Sequence, residues 1–174
     1  DNYLFLTFLF SHYYMRLLIT GTPGTGKTTL AKKLGKLIKC AVINEKDFAL
    51  KNSIGSFNDE NELEIPLEEF EKKANAYLKE NDNVIFEGHT MCEMKIKVDK
   101  AIVIKMDPEQ LEMRLEQRSY SMEKIMDNVF CEGINYCKKQ LLKNFKETDI
   151  IEVISQAQAN TTLALVVSEL NGHI

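Results

Sequence analysis

Arginine is scarce in this sequence. Only three of the 22 basic residues are arginine, namely Arg16, Arg114 and Arg118, and lysine supplies the rest. Because only arginine offers a planar fork of donors, few positions can bind a phosphate group in that way.

The sequence also lacks an excess of basic residues, since the formal net charge is -4. This charge argues against a general nucleic-acid coat, which needs a basic face, and we predict no direct nucleic-acid binding.

Long hydrophobic runs are also missing. The apolar run at residues 4–10 is far shorter than the ~20 residues that span a bilayer. No basic residue precedes it, as the start of a signal peptide would require. We therefore predict that residues 1–14 are an N-terminal extension outside the fold and that the protein has no membrane association. A membrane-surface anchor is the alternative for this segment.

The cysteines show neither CxxC pairing nor the spacing of metal ligands. There are four of them, Cys40, Cys92, Cys131 and Cys137. Because disulfides persist mainly in oxidising compartments, the pattern predicts reduced cysteines in a cytoplasmic protein.

The chain is long enough for one domain with a sizeable core and too short for two ordinary domains. Short apolar runs alternate with longer segments of helical spacing. The runs predict strands at residues 16–20, 41–43, 84–86, 101–104 and 150–154. The spacing predicts helices at residues 27–39, from 66, from 108, at 122–145 and at 162–170, with a mobile polar excursion at residues 45–65. Strands separated by helices imply a parallel sheet sandwiched between helices, so we predict a single α/β domain at residues 15–174.

Residues 21–28 read GTPGTGKT and fit the pattern GxxxxGK[ST], directly after a predicted strand and at the start of a predicted helix. In such a P-loop, backbone N–H groups turn toward phosphates and the helix N-terminus adds partial positive charge. Lys27 then reaches the β- and γ-phosphates, and the Thr28 hydroxyl ligates Mg²⁺. The predicted cofactors are therefore ATP and Mg²⁺, and the predicted nucleotide-binding residues are Gly24, Thr25, Gly26, Lys27, Thr28 and Thr29.

An acidic residue and a histidine follow the third predicted strand, in the segment VIFEGH at residues 84–89. In P-loop folds an acid at such a strand end holds Mg²⁺, which makes Glu87 the second predicted metal-binding residue beside Thr28. His89 is a candidate catalytic residue. The alternative for His89 is a strand-end histidine that pairs with a backbone group.

Arg114 and Arg118 lie four residues apart on the helix that Asp107 caps, so they share one helix face. Two of only three arginines on one face suggest a clamp that neutralises phosphate charge during transfer. The alternative is a solvated face paired with Glu112 or Glu116. With the clamp, the predicted catalytic residues are Lys27, Glu87, His89, Arg114 and Arg118.

From Met15 onward, the chain resembles the adenylate kinase isoenzyme 6 family of short-lid nucleoside monophosphate (NMP) kinases and ATPases, which is linked to small-ribosomal-subunit maturation. The resemblance rests on TGTPGTGKTT at residues 20–29, the acid-x-His after the third strand, RLEQRSY at 114–120 and KIMDN at 124–128. It implies a P-loop NTPase with a five-stranded parallel sheet, ATP contact by Arg118, a lid at about residues 117–127 and an NMP-binding excursion at about residues 44–67.

Three positions depart from the family pattern. Glu87 stands where aspartate is frequent, and Ser119 stands where glycine is frequent, which stiffens the lid hinge. Leu50 stands where the family often carries an arginine for the acceptor phosphate. The adjacent Lys51 supplies charge there without the bidentate geometry of arginine.

The resemblance implies a phosphotransferase that moves the γ-phosphate of ATP to an NMP, with AMP as the first expectation, and that also hydrolyses ATP. An NMP phosphate has a second pKa near ~6 and is ionised at neutral pH, so its transfer needs alignment and positive charge but no general base. Water must be oriented and must lose a proton. The Glu87 and His89 pair therefore suggests ATPase turnover.

Two other functions stay open. One is an ATP-switched assembly factor for the small ribosomal subunit, with a small-subunit ribosomal protein as its transient partner and incidental kinase activity. The other is a kinase of a small metabolite such as shikimate, which is disfavoured because the third strand ends in Glu87-Gly88-His89 and not in a glycine triplet.

The lid, with about ten residues between Arg118 and Asn128, is too short for a four-ligand zinc site. Asn160 and Thr161 are predicted to border the adenine.

Overall fold

The structure is a computed structural model that describes residues 15–172. The predicted extension at residues 1–14 lies outside the described residues. In chain order the elements are β1 (Arg16–Thr20), α1 (Lys27–Ile38), β2 (Ala41–Asn44), α2 (Glu45–Lys51), β3 (Ser56–Phe57), β4 (Leu63–Glu64), α3 (Leu67–Glu80), β5 (Val84–Glu87), β6 (Lys100–Lys105), α4 (Pro108–Gln117), α5 (Met122–Gly133), α6 (Tyr136–Asn144), β7 (Ile150–Ile154) and α7 (Ala159–Gly172). Short 3₁₀ turns follow β5 at Thr90–Glu93 and precede β7 at Glu147–Asp149.

The five predicted strands form one parallel sheet in the order β2–β5–β1–β6–β7, which confirms the predicted fold class. Parallel strands in the middle of such a sheet are covered by helices on both faces, so they read as continuous apolar runs without alternation. Accordingly, Leu17, Leu18 and Ile19 of β1 are all fully buried. The strand order places the ends of β2, β5 and β1 side by side, next to the P-loop.

Two apolar clusters fill the space on either side of the sheet. Leu17 and Ile19 face a cluster with helices α1 and α7, while Leu18 faces a cluster with α2 and α3. The second cluster contains four aromatic rings in edge-to-face contact, with centroids 5.1–6.5 Å apart: Phe48, Phe70, Tyr77 and Phe86. This aromatic group attaches α2 and α3 to β5, so the segment after β2 has a fixed base on the sheet.

The predicted single helix at residues 122–145 is wrong, because two helices occupy that stretch. Helix α5 ends at Gly133, and Asn135 adopts the left-handed conformation with φ 57° before α6 begins. Asparagine is one of the few residues that tolerate this conformation, which breaks the run of helical dihedrals. The apolar residues whose spacing predicted this helix do not all face the core, since Met126 is 65% exposed and Phe130 is 66% exposed.

The predicted mobile excursion has more regular structure than its polar composition indicated. It comprises helix α2 and an antiparallel hairpin of β3 and β4. Asn44 caps α2 through its side chain, and the apolar side chains of Phe48 and Ile54 are buried beneath the segment.

The last helix begins at Ala159, three residues before the predicted start at Thr162. None of the helices in residues 15–172 is long and apolar enough to cross a membrane.

Candidate active site

The P-loop connects β1 to α1, and two glycines set its shape. Gly24 and Gly26 have φ angles of 95° and 101°, in the region that favours glycine. Gly26 is the N-cap of α1 and makes no side-chain capping bond, so the first N–H groups of the helix remain available to an anion. A side chain at Gly24 would begin 2.9 Å from Leu111, because α4 packs directly on the loop. The loop therefore has a phosphate-binding shape that α4 supports.

The ammonium group of Lys27 folds back onto the loop and donates to the backbone oxygen of Thr22 at 3.0 Å. Burial lowers the pKa of Lys27, while the nearby carboxylates of Glu87 and Glu45 act in the opposite direction. Because the hydrogen-bond acceptor at Thr22 is a neutral carbonyl, phosphate oxygens would be stronger partners for this partly buried cation.

Glu87 lies at the end of β5 and is 1% exposed. Its Oε1 accepts from the Thr28 hydroxyl at 3.0 Å and from the Asn44 side-chain amide at 2.6 Å. Residues 15–172 contain no group of three or more His, Cys, Asp and Glu side chains that could hold a metal. However, Mg²⁺ at nucleotide sites uses one or two protein oxygens together with phosphates and water. A carboxylate and a hydroxyl in contact beside the P-loop fit that pattern, so the residues fit a magnesium ion.

His89 lies two residues past β5, on the wall of the same cleft. Its side chain is 54% exposed and lines the cleft. The buried part of the ring and the charge of Lys27 lower the pKa of His89, which favours the neutral imidazole. The sequence-based alternative, an imidazole that pairs with a backbone group, stays open; the backbone oxygen of His89 accepts from the Thr20 hydroxyl at 3.4 Å. The imidazole lines the cleft, with Nδ1 3.8 Å from Oε2 of Glu45.

Glu45 is a site residue that the sequence reasoning missed. It is the first residue of α2, it is 4% exposed, and it lines the cleft. Its carboxylate accepts from the Thr90 hydroxyl, and its Oε2 lies 3.8 Å from Nδ1 of His89. Burial raises the pKa of Glu45 to about 7, although hydrogen bonds from the backbones of Thr90 and His89 and the charge of Lys27 oppose the change. The sequence offered no signal beyond an acid directly after β2.

The cleft itself has a volume of about 620 Å³ and opens onto Lys27, Thr28 and Glu87. The tip of the β3–β4 hairpin forms one wall, and the start of α5 forms the facing wall. Lys124 of α5 makes an ion pair with Glu62 of the hairpin, which joins the two walls. The connection between α4 and α5 spans only residues 118–121. Within it, Ser119 has φ 57°, a left-handed conformation that glycine adopts at lower cost.

The predicted acceptor-side lysine does not reach this cleft. Lys51 borders a separate cavity of about 490 Å³ on the outer side of α2, together with Asp47 and Lys73. The expectation for Lys51 is therefore wrong, because α2 is a helix and directs Lys51 away from the P-loop. Lys46 and Lys124 line the cleft in its place, in addition to Lys27.

A second cavity of about 210 Å³ lies on the other side of the P-loop. Thr25, Gly26 and Thr29 line it, together with Arg114 and the segment before α7. The lining residues from that segment are Ser155, Gln156 and Ala157. Asn160 and Thr161, which were predicted to border the adenine, do not line the cavity. Asn160 instead accepts from Lys33 at 2.8 Å.

The two arginines of the predicted clamp have different surroundings. Arg114 donates to the backbone oxygen of Gly24 at 3.4 Å and lines the second cavity. Arg118 is the C-cap of α4, is exposed and lines neither this cavity nor the 620 Å³ cleft. The structure thus brings Arg114 to the P-loop, and the role of Arg118 stays a prediction.

Glu132 is a second buried acid that the sequence reasoning missed. It lies in α5 and is 4% exposed. Its carboxylate accepts from the Thr22 hydroxyl at 2.5 Å and from the backbone N–H of Met106 at 2.8 Å. These bonds join the helix after the lid to the P-loop and to the end of β6.

Comparison with known proteins agrees with this geometry. A family model described as an AAA domain matches residues 17–135. A Pyrococcus furiosus protein named "Putative adenylate kinase" is 34% identical over 167 residues, with 92% of this chain and 88% of the relative covered. The "Adenylate kinase isoenzyme 6 homolog" of Plasmodium falciparum is 31% identical over 159 residues, with 79% and 84% covered.

Solved structures with the same fold include kinases of small metabolites. A shikimate kinase from Bacteroides thetaiotaomicron has a TM-score of 0.62 at 15% identity, covering 90% of this chain and 98% of its own. A gluconokinase from Sinorhizobium meliloti 1021 has a TM-score of 0.58 at 11% identity, covering 92% and 93%. At these identities the likeness concerns the fold alone. The sequence relatives carry the assignment: the chain belongs to the adenylate kinase isoenzyme 6 family of P-loop nucleotide kinases, which makes it a phosphotransferase.

Proposed function

We propose that this protein transfers the γ-phosphoryl group of Mg·ATP to a nucleoside monophosphate, with AMP as the first candidate, and that it also hydrolyses ATP. The observation that carries the proposal is the 620 Å³ cleft, which opens onto Lys27, Thr28 and Glu87 and is lined by two further lysines. Such a cleft offers room and positive charge for an acceptor beside the γ-phosphate.

The donor nucleotide would occupy the P-loop and the second cavity. The N–H groups around Gly24 and Gly26 would hold the phosphates, and Arg114 would face the phosphate chain from α4. The 210 Å³ cavity next to Thr29 and Gln156 would take the nucleoside end of ATP. Lys27 would leave the Thr22 oxygen and bind the β- and γ-phosphates.

The acceptor phosphate would lie between Lys46 and Lys124. The hairpin and α5 flank this position, and their ion pair between Glu62 and Lys124 would open or rearrange as the acceptor enters. Two ammonium groups supply charge as mobile point charges, without the fixed fork of an arginine. Because the acceptor oxygen is already ionised near neutral pH, charge and alignment are sufficient for its attack.

Thr28 and Glu87 would hold the magnesium ion. When bound, the ion supplies positive charge to the β- and γ-phosphate oxygens. Asn44 would keep the Glu87 carboxylate in place through its 2.6 Å hydrogen bond.

The proposed hydrolysis would use His89 to orient a water molecule when no acceptor fills the cleft. His89 is neutral and open to the cleft, and it lies two residues from Glu87. A neutral imidazole can accept a hydrogen bond from water through one ring nitrogen, which a pure NMP kinase does not require.

The test is ADP production from Mg·ATP alone and with AMP, CMP, UMP and GMP. A large increase with at least one monophosphate, above a slower basal hydrolysis, is the expected result. If none of the four monophosphates changes the rate of hydrolysis, the kinase proposal is overturned and the ATP-switched assembly factor for the small ribosomal subunit is favoured.

Zinc analysis of the purified protein would test the prediction that the short lid holds no zinc.

A further inference from the structure

Glu45 connects the acceptor side of the cleft with the loop that carries His89. We propose that Glu45 is a positioning residue that fixes the orientation of His89 and thereby sets the rate of ATP hydrolysis relative to phosphoryl transfer. This inference rests on the proposed function, and it concerns a residue for which the P-loop and the acid-x-His motif assign no role.

The contacts of Glu45 are concentrated on residues 89–90. Its carboxylate accepts from the Thr90 hydroxyl and from backbone groups of His89 and Thr90. Its Oε2 lies 3.8 Å from Nδ1 of His89. One buried side chain thus holds the backbone of the loop and lies beside the imidazole.

Gly88 makes this arrangement possible. A Cβ atom at Gly88 would lie 2.3 Å from Oε2 of Glu45 and 2.5 Å from its Cβ, so the acid packs directly on the glycine backbone. No other residue type at position 88 would leave space for the Glu45 side chain. The close packing of Glu45 on Gly88 therefore depends on the glycine, which indicates a specific contact between the two segments.

The position of Glu45 in the fold links it to the acceptor. Strands β2 and β5 pair in register, with Asn44 opposite Glu87, which brings residue 45 beside residue 88. The next residue of α2 is Lys46, which lines the acceptor side of the cleft. An acceptor held by Lys46 would therefore lie next to Glu45, the residue that holds the backbone of His89.

A neutral imidazole carries one proton, on either ring nitrogen. When Glu45 is ionised, its carboxylate near Nδ1 favours the proton there, which leaves Nε2 as an acceptor. Without Glu45 the loop loses three bonds and the ring loses its preferred tautomer. Hydrolysis should then fall, whereas transfer to an ionised acceptor should depend less on His89.

The experiment compares Glu45→Gln and Glu45→Ala with Asp47→Asn, which removes an exposed acid from the same first turn of α2. For both Glu45 variants we expect the kcat of ATP hydrolysis to fall at least tenfold, with the KM for Mg·ATP and for the monophosphate within threefold. Asp47→Asn should leave both activities unchanged. Because a truncation can also unfold the protein, Thr90→Val provides a second route: it should lower hydrolysis, and Thr90→Ser should restore it relative to Thr90→Val.

A spectroscopic measurement accompanies the kinetics. The ¹⁵N spectrum of the imidazole groups is recorded at pH 8, where Glu45 is ionised. With His89 identified by its loss in His89→Gln, it should show the proton on Nδ1 in the unchanged protein and on Nε2 in Glu45→Gln. Equal loss of hydrolysis and transfer, or an unchanged His89 spectrum, would overturn the positioning role. If the unchanged protein does not hydrolyse ATP, the hydrolytic part of the proposed function fails, and the spectrum alone decides whether Glu45 orients His89.

Discussion

Lys46 lies on the wall of the cleft, where its ammonium group is 5.9 Å from the centre of the Phe57 ring. We predict that Lys46→Ala raises the KM for the monophosphate about tenfold, which corresponds to the loss of about 1.4 kcal/mol from a charged contact with phosphate. The KM for Mg·ATP should stay within about twofold.

Lys51→Ala is the matched control for Lys46, since the same charge is removed from the same helix on its outer side. Steady-state kinetics of both variants with AMP, or with whichever monophosphate is active, checks the prediction. Equal effects of the two substitutions would contradict the assignment of Lys46 to the acceptor.

Glu45 also affects stability in a pH-dependent way. Its pKa is raised from 4.5 to about 7, so between these values the folded protein holds a proton that the unfolded chain has released. Stability therefore falls as the pH rises through this window, and the loss is complete above about pH 7. We predict that Glu45→Gln becomes more stable relative to the unchanged protein between pH 5 and pH 8, by about 1–3 kcal/mol in the free energy of unfolding.

Urea unfolding at several pH values measures that difference. Asp47→Asn serves again as the control, because it removes an exposed acid from the same first turn of α2. A Glu45→Gln difference that is flat between pH 5 and pH 8 would show that Glu45 titrates at an ordinary pKa.

At the scale of elements, α5 supports the P-loop through Glu132. Removing this carboxylate leaves the Thr22 hydroxyl and the Met106 N–H buried without their partner. We predict that Glu132→Ala lowers the free energy of unfolding by about 2–5 kcal/mol, since each unpaired buried group costs about 1–3 kcal/mol. The affinity for ATP should also fall, because Thr22 belongs to the loop and its oxygen accepts from Lys27.

The control for Glu132 is Glu123→Ala, an exposed acid in the first turn of the same helix. It should change the free energy of unfolding by no more than about 0.5 kcal/mol. Denaturant unfolding gives the stability, and titration with a non-hydrolysable ATP analogue gives the affinity. A Glu132→Ala protein as stable as Glu123→Ala would indicate that water replaces the lost acceptor.

At the scale of the whole molecule, nucleotide binding should stabilise the folded state. A ligand at 100 times its Kd contributes about 2.7 kcal/mol. For a chain of this length that corresponds to a rise in Tm of roughly 5–10 °C. We predict such a rise with Mg²⁺ and a non-hydrolysable ATP analogue.

Lys27→Ala should remove most of this rise, because it deletes the ammonium group that meets the phosphates. Lys36→Ala, an exposed lysine in the last turn of α1, should keep it. Thermal unfolding with and without the analogue makes the comparison. An undiminished shift in Lys27→Ala would mean that the nucleotide binds elsewhere.

Local sequence patterns determined the strands, the P-loop and its context, and the acid at the end of β5. These features depend on neighbours within a few residues: an apolar run, a glycine at a left-handed position, a lysine at the start of a helix. The helical spacing of apolar residues at 122–145 led to a wrong prediction for the same reason, since the left-handed Asn135 and the exposure of Met126 depend on how the helices pack.

Only the tertiary structure decided which side chains meet across the cleft. Glu45 and His89 are far apart in the chain, and they meet because β2 and β5 are neighbours in register. Lys46 lines the cleft and Lys51 does not because α2 begins at Glu45. The polar sequence of this segment did not indicate a helix. The sequence alone therefore determined the nucleotide-binding loop, because its geometry is local, whereas the strand order and helix orientations determined the acceptor cleft and the surroundings of His89.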